Sequence, residues 1–162
     1  MSLVVPYDSS ELARTALVRA AQFDQVLEQG VVVVTAIPSN NTNYARERGW
    51  LGENESFDGE TVVSRIREEI RKIVPDAAFE YIVVSRRAQS GEIASKIRKE
   101  ARNQDASIVF IGSKNAGRIV RSISVGQTVS TDSSYDTMLI SNATPSKITE
   151  FEESIPTDDV FD

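Results

Sequence analysis

The chain has 162 residues, 40% of them hydrophobic and 26% charged, with a net charge of −6, the balance of an ordinary globular domain. It contains neither Cys nor His, which excludes disulfides, thiol nucleophiles, Ser-His-Asp chemistry and most zinc sites. No apolar run nears the roughly 18 residues of a membrane span, the opening MSLVVPYDSS lacks the form of a signal peptide, and no basic nucleic-acid footprint is present. A cytoplasmic protein with no membrane insertion is expected.

Residues 2–6, SLVVP, read as a short strand ended by Pro6. DSSELARTALVRAAQF follows, with Asp8, Ser9 and Ser10 as candidate helix caps and Ala13, Ala16, Leu17 and Ala20 forming one buried stripe. VVVVTAI at 31–37 is continuously apolar and β-branched, as a strand covered on both faces should be. The polar, aperiodic stretch 38–57 reads as a long loop, with Trp50 either a local packing anchor or a base-stacking platform. Val62, Ile66, Ile70, Ile73 and Val74 define a second helix, stopped by Pro75, with Arg65–Glu69 and Glu68–Lys72 as i,i+4 pairs.

FEYIVVS at 79–85 is a third strand, and Ile93, Ile97 and Ala101 mark a third helix over 91–103. SIVFIGS at 107–113 and TMLIS at 137–141 complete five strands. Such alternation implies βαβ crossovers, a parallel sheet and helices on both faces. Ligands in these sheets sit beyond the carboxyl ends of the strands, where strand order reverses. The segments leaving strands one and four, 8–10 and 112–126, are therefore expected to flank the site. Residues 1–141 form the α/β domain. The tail 142–162 holds six acids against Lys147, a net of −5 that leaves −1 for the rest. Ile148, Phe151 and Ile155 could align on one side of a short helix there.

The common nucleotide motifs are absent. PYDSSE after the first strand has no glycine for a GxGxxG turn, and no GxxxxGK[ST] occurs. A phosphoacceptor receiver would need an acid after strand three, where Ser85-Arg86-Arg87 stands. In contrast, LVVPYDSSELARTAL together with SGEIASKIRKEARNQDASIVFIGSKN resembles the opening and the nucleotide-loop region of the universal stress protein family, over about residues 2–141.

That resemblance implies a doubly wound α/β fold with a five-stranded parallel sheet of order 3-2-1-4-5, often dimeric. It also implies an adenine nucleotide, ATP or AMP, held by Pro6 and Asp8 after strand one, Ala36 at the end of strand two and a phosphate loop patterned Gly-x-x-Gly-(nine residues)-Gly-Ser/Thr. Here Gly112 matches the first glycine, and Ser113 and Lys114 follow it. Asn115 stands at the second glycine, then come Gly117 and Arg118. The third glycine falls at Val125, one residue before Gly126; Gln127 and Thr128 follow, and a one-residue gap would select Ser124 instead.

Asp8 is open to two readings, a helix cap or a ligand contact. Lys114, Arg118 and Arg121 form a +3 stretch with no acid between Asp105 and Asp132, either an anion site or a solvated face. The expectation is a regulatory protein of the universal stress type, not an enzyme, that binds nucleotide weakly or not at all. It would act through an unidentified protein partner and pair as a homodimer through strand 137–141. The alternatives are a nucleotide-independent interaction protein and a slow ATP-hydrolysing enzyme.

Overall fold

A computed structural model of the chain describes residues 1–112 and 134–142. The elements run β1 (Ser2–Pro6), α1 (Glu11–Leu27), β2 (Val31–Pro38), α2 (Thr42–Glu47), α3 (Gly59–Ile73), β3 (Ala78–Val84), α4 (Ser90–Asn103), β4 (Ala106–Ile111) and β5 (Asp136–Leu139). All four strand pairings are parallel, in the order β3-β2-β1-β4-β5. The expected fold is observed.

Alternation along the strands divides the core between two faces. Leu3, Val5, Val33, Ile37 and Phe110 pack under α1 and α3, whose stripes contribute Ala13, Ala16, Leu17 and Ala20, then Val62, Ile66 and Ile70. Val4, Val34, Val109 and Ile111 face the other way, against Ala94 and Ala101 of α4. Ser10 caps α1, its hydroxyl accepting from the Ala13 N–H at 3.1 Å, so the helix begins three residues after Asp8. It ends at Glu28, whose φ of 51° stops the right-handed turn.

Two local expectations are corrected. The stretch 38–57 is not all loop: Asn41 caps a short helix, accepting from the Tyr44 N–H at 3.1 Å. Its six residues are too few to show a period in sequence. The Arg65–Glu69 pair does not form either. Arg65 reaches back to Glu55 with bonds of 2.7 and 2.9 Å, while Glu69 turns toward the end of β1. Tertiary partners outcompete an i,i+4 contact between solvated side chains that offers only about 0.2–0.5 kcal/mol.

Candidate functional site

Beyond the ends of β1 and β2 lies a cavity of about 260 Å³. Its floor comes from Pro6, Tyr7, Asp8 and Ala36, one wall from Tyr44 and Arg48, and the other from Ala88, Ser90 and the α4 residues Ile93, Ala94 and Ile97. Ala94 leaves room here that a larger side chain would take. A more open hollow of about 620 Å³ beside β3, lined in part by Phe57, Tyr81 and Val83, holds none of the predicted site residues.

Asp8 is not the helix cap. Its Oδ1 accepts from the Ser10 N–H at 3.0 Å, fixing the turn, and among the described residues no hydrogen bond engages Oδ2. The carboxylate thus reaches the cavity half satisfied. Opposite it, the Arg48 guanidinium lies over the Tyr44 ring, 3.2 Å from its centre, and Nη1 donates to the Tyr44 carbonyl at 3.3 Å. The Arg48 Nε is buried with no hydrogen-bond partner among the described residues. Burial pushes the Tyr44 phenol above its ordinary value; Arg48 draws it down and the Asp8 carboxylate pushes it up. The cavity therefore offers one anionic acceptor, one cationic donor and apolar walls, a set suited to a polar heterocycle with donors and acceptors on its rim.

The turn carrying Asp8 is held from the opposite side of the sheet. The Glu69 carboxylate, on α3, accepts from the Tyr7 hydroxyl, from Ser9 Oγ at 3.2 Å and from Arg14 Nε at 3.2 Å. Ser9 Oγ in turn accepts from the Trp50 indole N–H at 2.8 Å. Ser9 sits at φ 63°, a left-handed conformation that costs a serine about 1 kcal/mol or more. Burial and the bond to Glu69 raise the Tyr7 phenol, with Arg14 opposing, so Tyr7 remains a hydrogen-bond donor at neutral pH. Trp50 is 1% exposed and belongs to the core under α1 and α3. It is a packing anchor.

Of the predicted site residues, Pro6, Asp8 and Ala36 meet on the cavity. Gly112 lies off it, at the end of β4. A Cβ there would overlap the Leu12 carbonyl oxygen and stand 3.0 Å from the Ala16 Cβ, so glycine is needed for β4 to pass α1. Ser113, Lys114, Asn115, Gly117, Arg118, Arg121, Ser124, Val125, Gly126, Gln127 and Thr128 lie outside the described residues, as do Ile148, Phe151 and Ile155. Sequence reasoning missed Tyr44, Arg48 and the α4 wall. The signal available was slight: an Asn-Asn-Thr cap before two residues spaced i,i+4.

Among the described residues, no group of three His, Cys, Asp or Glu could hold a metal, and no helix is long and apolar enough to cross a membrane. A parallel sheet wound on both faces, with a hollow at its strand ends where strand order reverses, defines a doubly wound α/β protein. The universal stress protein family model matches residues 1–140, and the chain belongs to that family.

Solved structures agree on the fold. A universal stress protein from Archaeoglobus fulgidus is 20% identical, with 86% of this chain and 98% of that one covered at a TM-score of 0.50. The same organism's universal stress protein in complex with dAMP gives 20%, 86%, 97% and 0.50. A universal stress protein in complex with cAMP is 16% identical, covering 89% and 98%, also at 0.50. No curated relative matches the chain in sequence.

Proposed function

We propose that this chain is a regulatory protein that binds an adenine nucleoside or nucleotide weakly in the Asp8 cavity and acts through a protein partner rather than by turnover. The observation that carries this reading is the half-satisfied Asp8 carboxylate sharing one small, otherwise largely apolar cavity with the cationic Arg48 side chain. Family members of the same fold form complexes with dAMP and with cAMP, which supports an adenine ligand. About 260 Å³ is below the roughly 300–1,000 Å³ of ordinary ligand pockets, so it suits a nucleoside better than a whole triphosphate.

A ligand at a hundred times its Kd adds about 2.7 kcal/mol, or roughly 5–10 °C in melting temperature at this size. With about 1 mM ATP and Mg²⁺ the shift is expected to fall well short of that and to match the shift with adenosine; a large shift specific to ATP, lost in Asp8→Ala, would refute weak binding. ATP turnover is expected to stay far below the roughly 1 s⁻¹ low end of typical enzymes. A faster rate that disappears in Asp8→Ala would make the protein an enzyme. Pairing through the exposed edge strand β5 belongs to the same reading: Leu139, 51% exposed, is available for it. Leu139→Glu is expected to shift the protein from dimer to monomer by light scattering, and a monomeric wild type would refute the dimer.

The second reading is a nucleotide-independent interaction protein. Gly112 favours it, because packing against Leu12 accounts for this glycine without any phosphate. Mass spectrometry of small molecules retained through purification separates the two.

A further inference from the structure

We propose that Glu69, a residue of α3 on the face of the sheet opposite the cavity, is the positioning residue that holds the polar floor and the polar wall of that cavity at once. It accepts from Tyr7 and Ser9, the two residues that flank Asp8. It therefore sets the direction in which the Asp8 backbone leaves the sheet. The left-handed Ser9 is the pivot: at φ 63° its hydroxyl turns down toward α3, and Asp8 stays at the cavity.

The polar wall hangs on the same hydroxyl. Ser9 Oγ accepts from Trp50 Nε1 while donating to Glu69 Oε2, so one atom joins the β1–α1 turn to the segment after β2. The Trp50 ring packs at a tilt against Tyr44, ring centres 5.8 Å apart, and its backbone N–H donates to the Ala45 carbonyl at 2.9 Å. Through that ring contact and that bond, Trp50 sets the height of α2 and hence of Tyr44 and Arg48 over the cavity. Arg65 closes the far side, donating to the Trp50 carbonyl at 2.9 Å.

The buried Tyr7 and Ser9 hydroxyls, once they lose their carboxylate, must rearrange rather than stay unpaired. Removing Glu69 leaves Ser9 without the bond that balances its strained φ. Asp8 and α2 then loosen together. The inference rests on the ligand reading only for its binding arm; the coupling itself is a property of the free protein.

The full chain with Glu69→Ala tests this. Trp50 is the single tryptophan, so its emission reports the joint directly. Without ligand, Glu69→Ala is expected to red-shift that emission, increase its quenching by acrylamide and speed amide exchange at 8–10 and at 42–48 together. Ile70→Val, one residue along and fully in the core, is the control: it lowers the melting temperature and leaves emission and both exchange segments unchanged. With adenosine as probe, Glu69→Ala is expected to weaken binding about tenfold, as the loss of one charge-assisted anchor does.

Unchanged emission and exchange in a folded Glu69→Ala would overturn the proposal, and so would faster exchange at 8–10 alone. If Glu69→Ala does not fold, Ser9→Ala decides by the same signature, since it removes the shared hydroxyl. A wild type that binds no adenosine defeats the ligand reading, while the ligand-free exchange pattern still judges Glu69.

Discussion

The two faces of the sheet are built differently. Under α1 and α3 the core is deep, with Leu17, Trp50, Ile66, Ile70 and Phe110 all essentially sealed. The α4 face buries Ala94, Ile97 and Ala101, and the Asp8 cavity opens on that face. The polar groups that orient Asp8 nevertheless belong to the deep face. The difference shows a division of labour: the cavity lies on the α4 side, whereas fixing its carboxylate to within a fraction of an ångström needs the rigid neighbours of the other face. The α4 face holds the Asp8 cavity and the opposite face holds its geometry.

The sharpest way to break this contrast is Trp50→Ala. It removes the largest sealed side chain of the deep face together with the Ser9 bond, and about 3–5 kcal/mol of stability is expected to go with it. Chemical denaturation measures the loss; a cost under about 1 kcal/mol would show that the deep face is not rigid. Gly112→Ala comes next, at about 3 kcal/mol, because the clash is with backbone and α1 must move.

A matched pair then compares the faces directly. Ala16→Leu, in the deep core, is expected to cost about 1–3 kcal/mol by overpacking. Ala94→Leu, beside the cavity, is expected to cost less than about 1 kcal/mol while filling the space and blocking adenosine. Equal costs at the two sites would erase the distinction.

The smallest effect concerns pH. The folded Tyr7 phenol keeps its proton beyond the pH at which an unfolded tyrosine loses one, so above about pH 10 the unfolded state binds fewer protons. Its contribution to stability is complete below that pH and is lost as pH rises further. Melting temperature is expected to fall above about pH 10 and to fall less steeply in Tyr7→Phe; parallel profiles would show that Tyr7 is not buried against Glu69.

Much of the architecture was legible in the amino-acid order because its signals are local and repeated. The continuous Val31–Val34 run and the i, i+3, i+4 stripes of α1 and α3 report burial by periodicity alone, and five strands alternating with helices leave few topologies. The placement of Asp8 and Ala36 on the cavity was legible through family resemblance, Asp8 following β1 and Ala36 lying near the end of β2. What the order of residues could not settle is which hydroxyl caps α1, which acid Arg65 chooses and why residue 112 is glycine. Nor could it place Tyr44 and Arg48 over the cavity or join Glu69 to Ser9 across 60 residues. Those outcomes depend on side chains brought together only when α3 and the 38–57 segment close over the end of the sheet. A hydrogen bond between distant residues has no period to leave in a sequence, and a steric limit such as that at Gly112 exists only once another backbone arrives beside it.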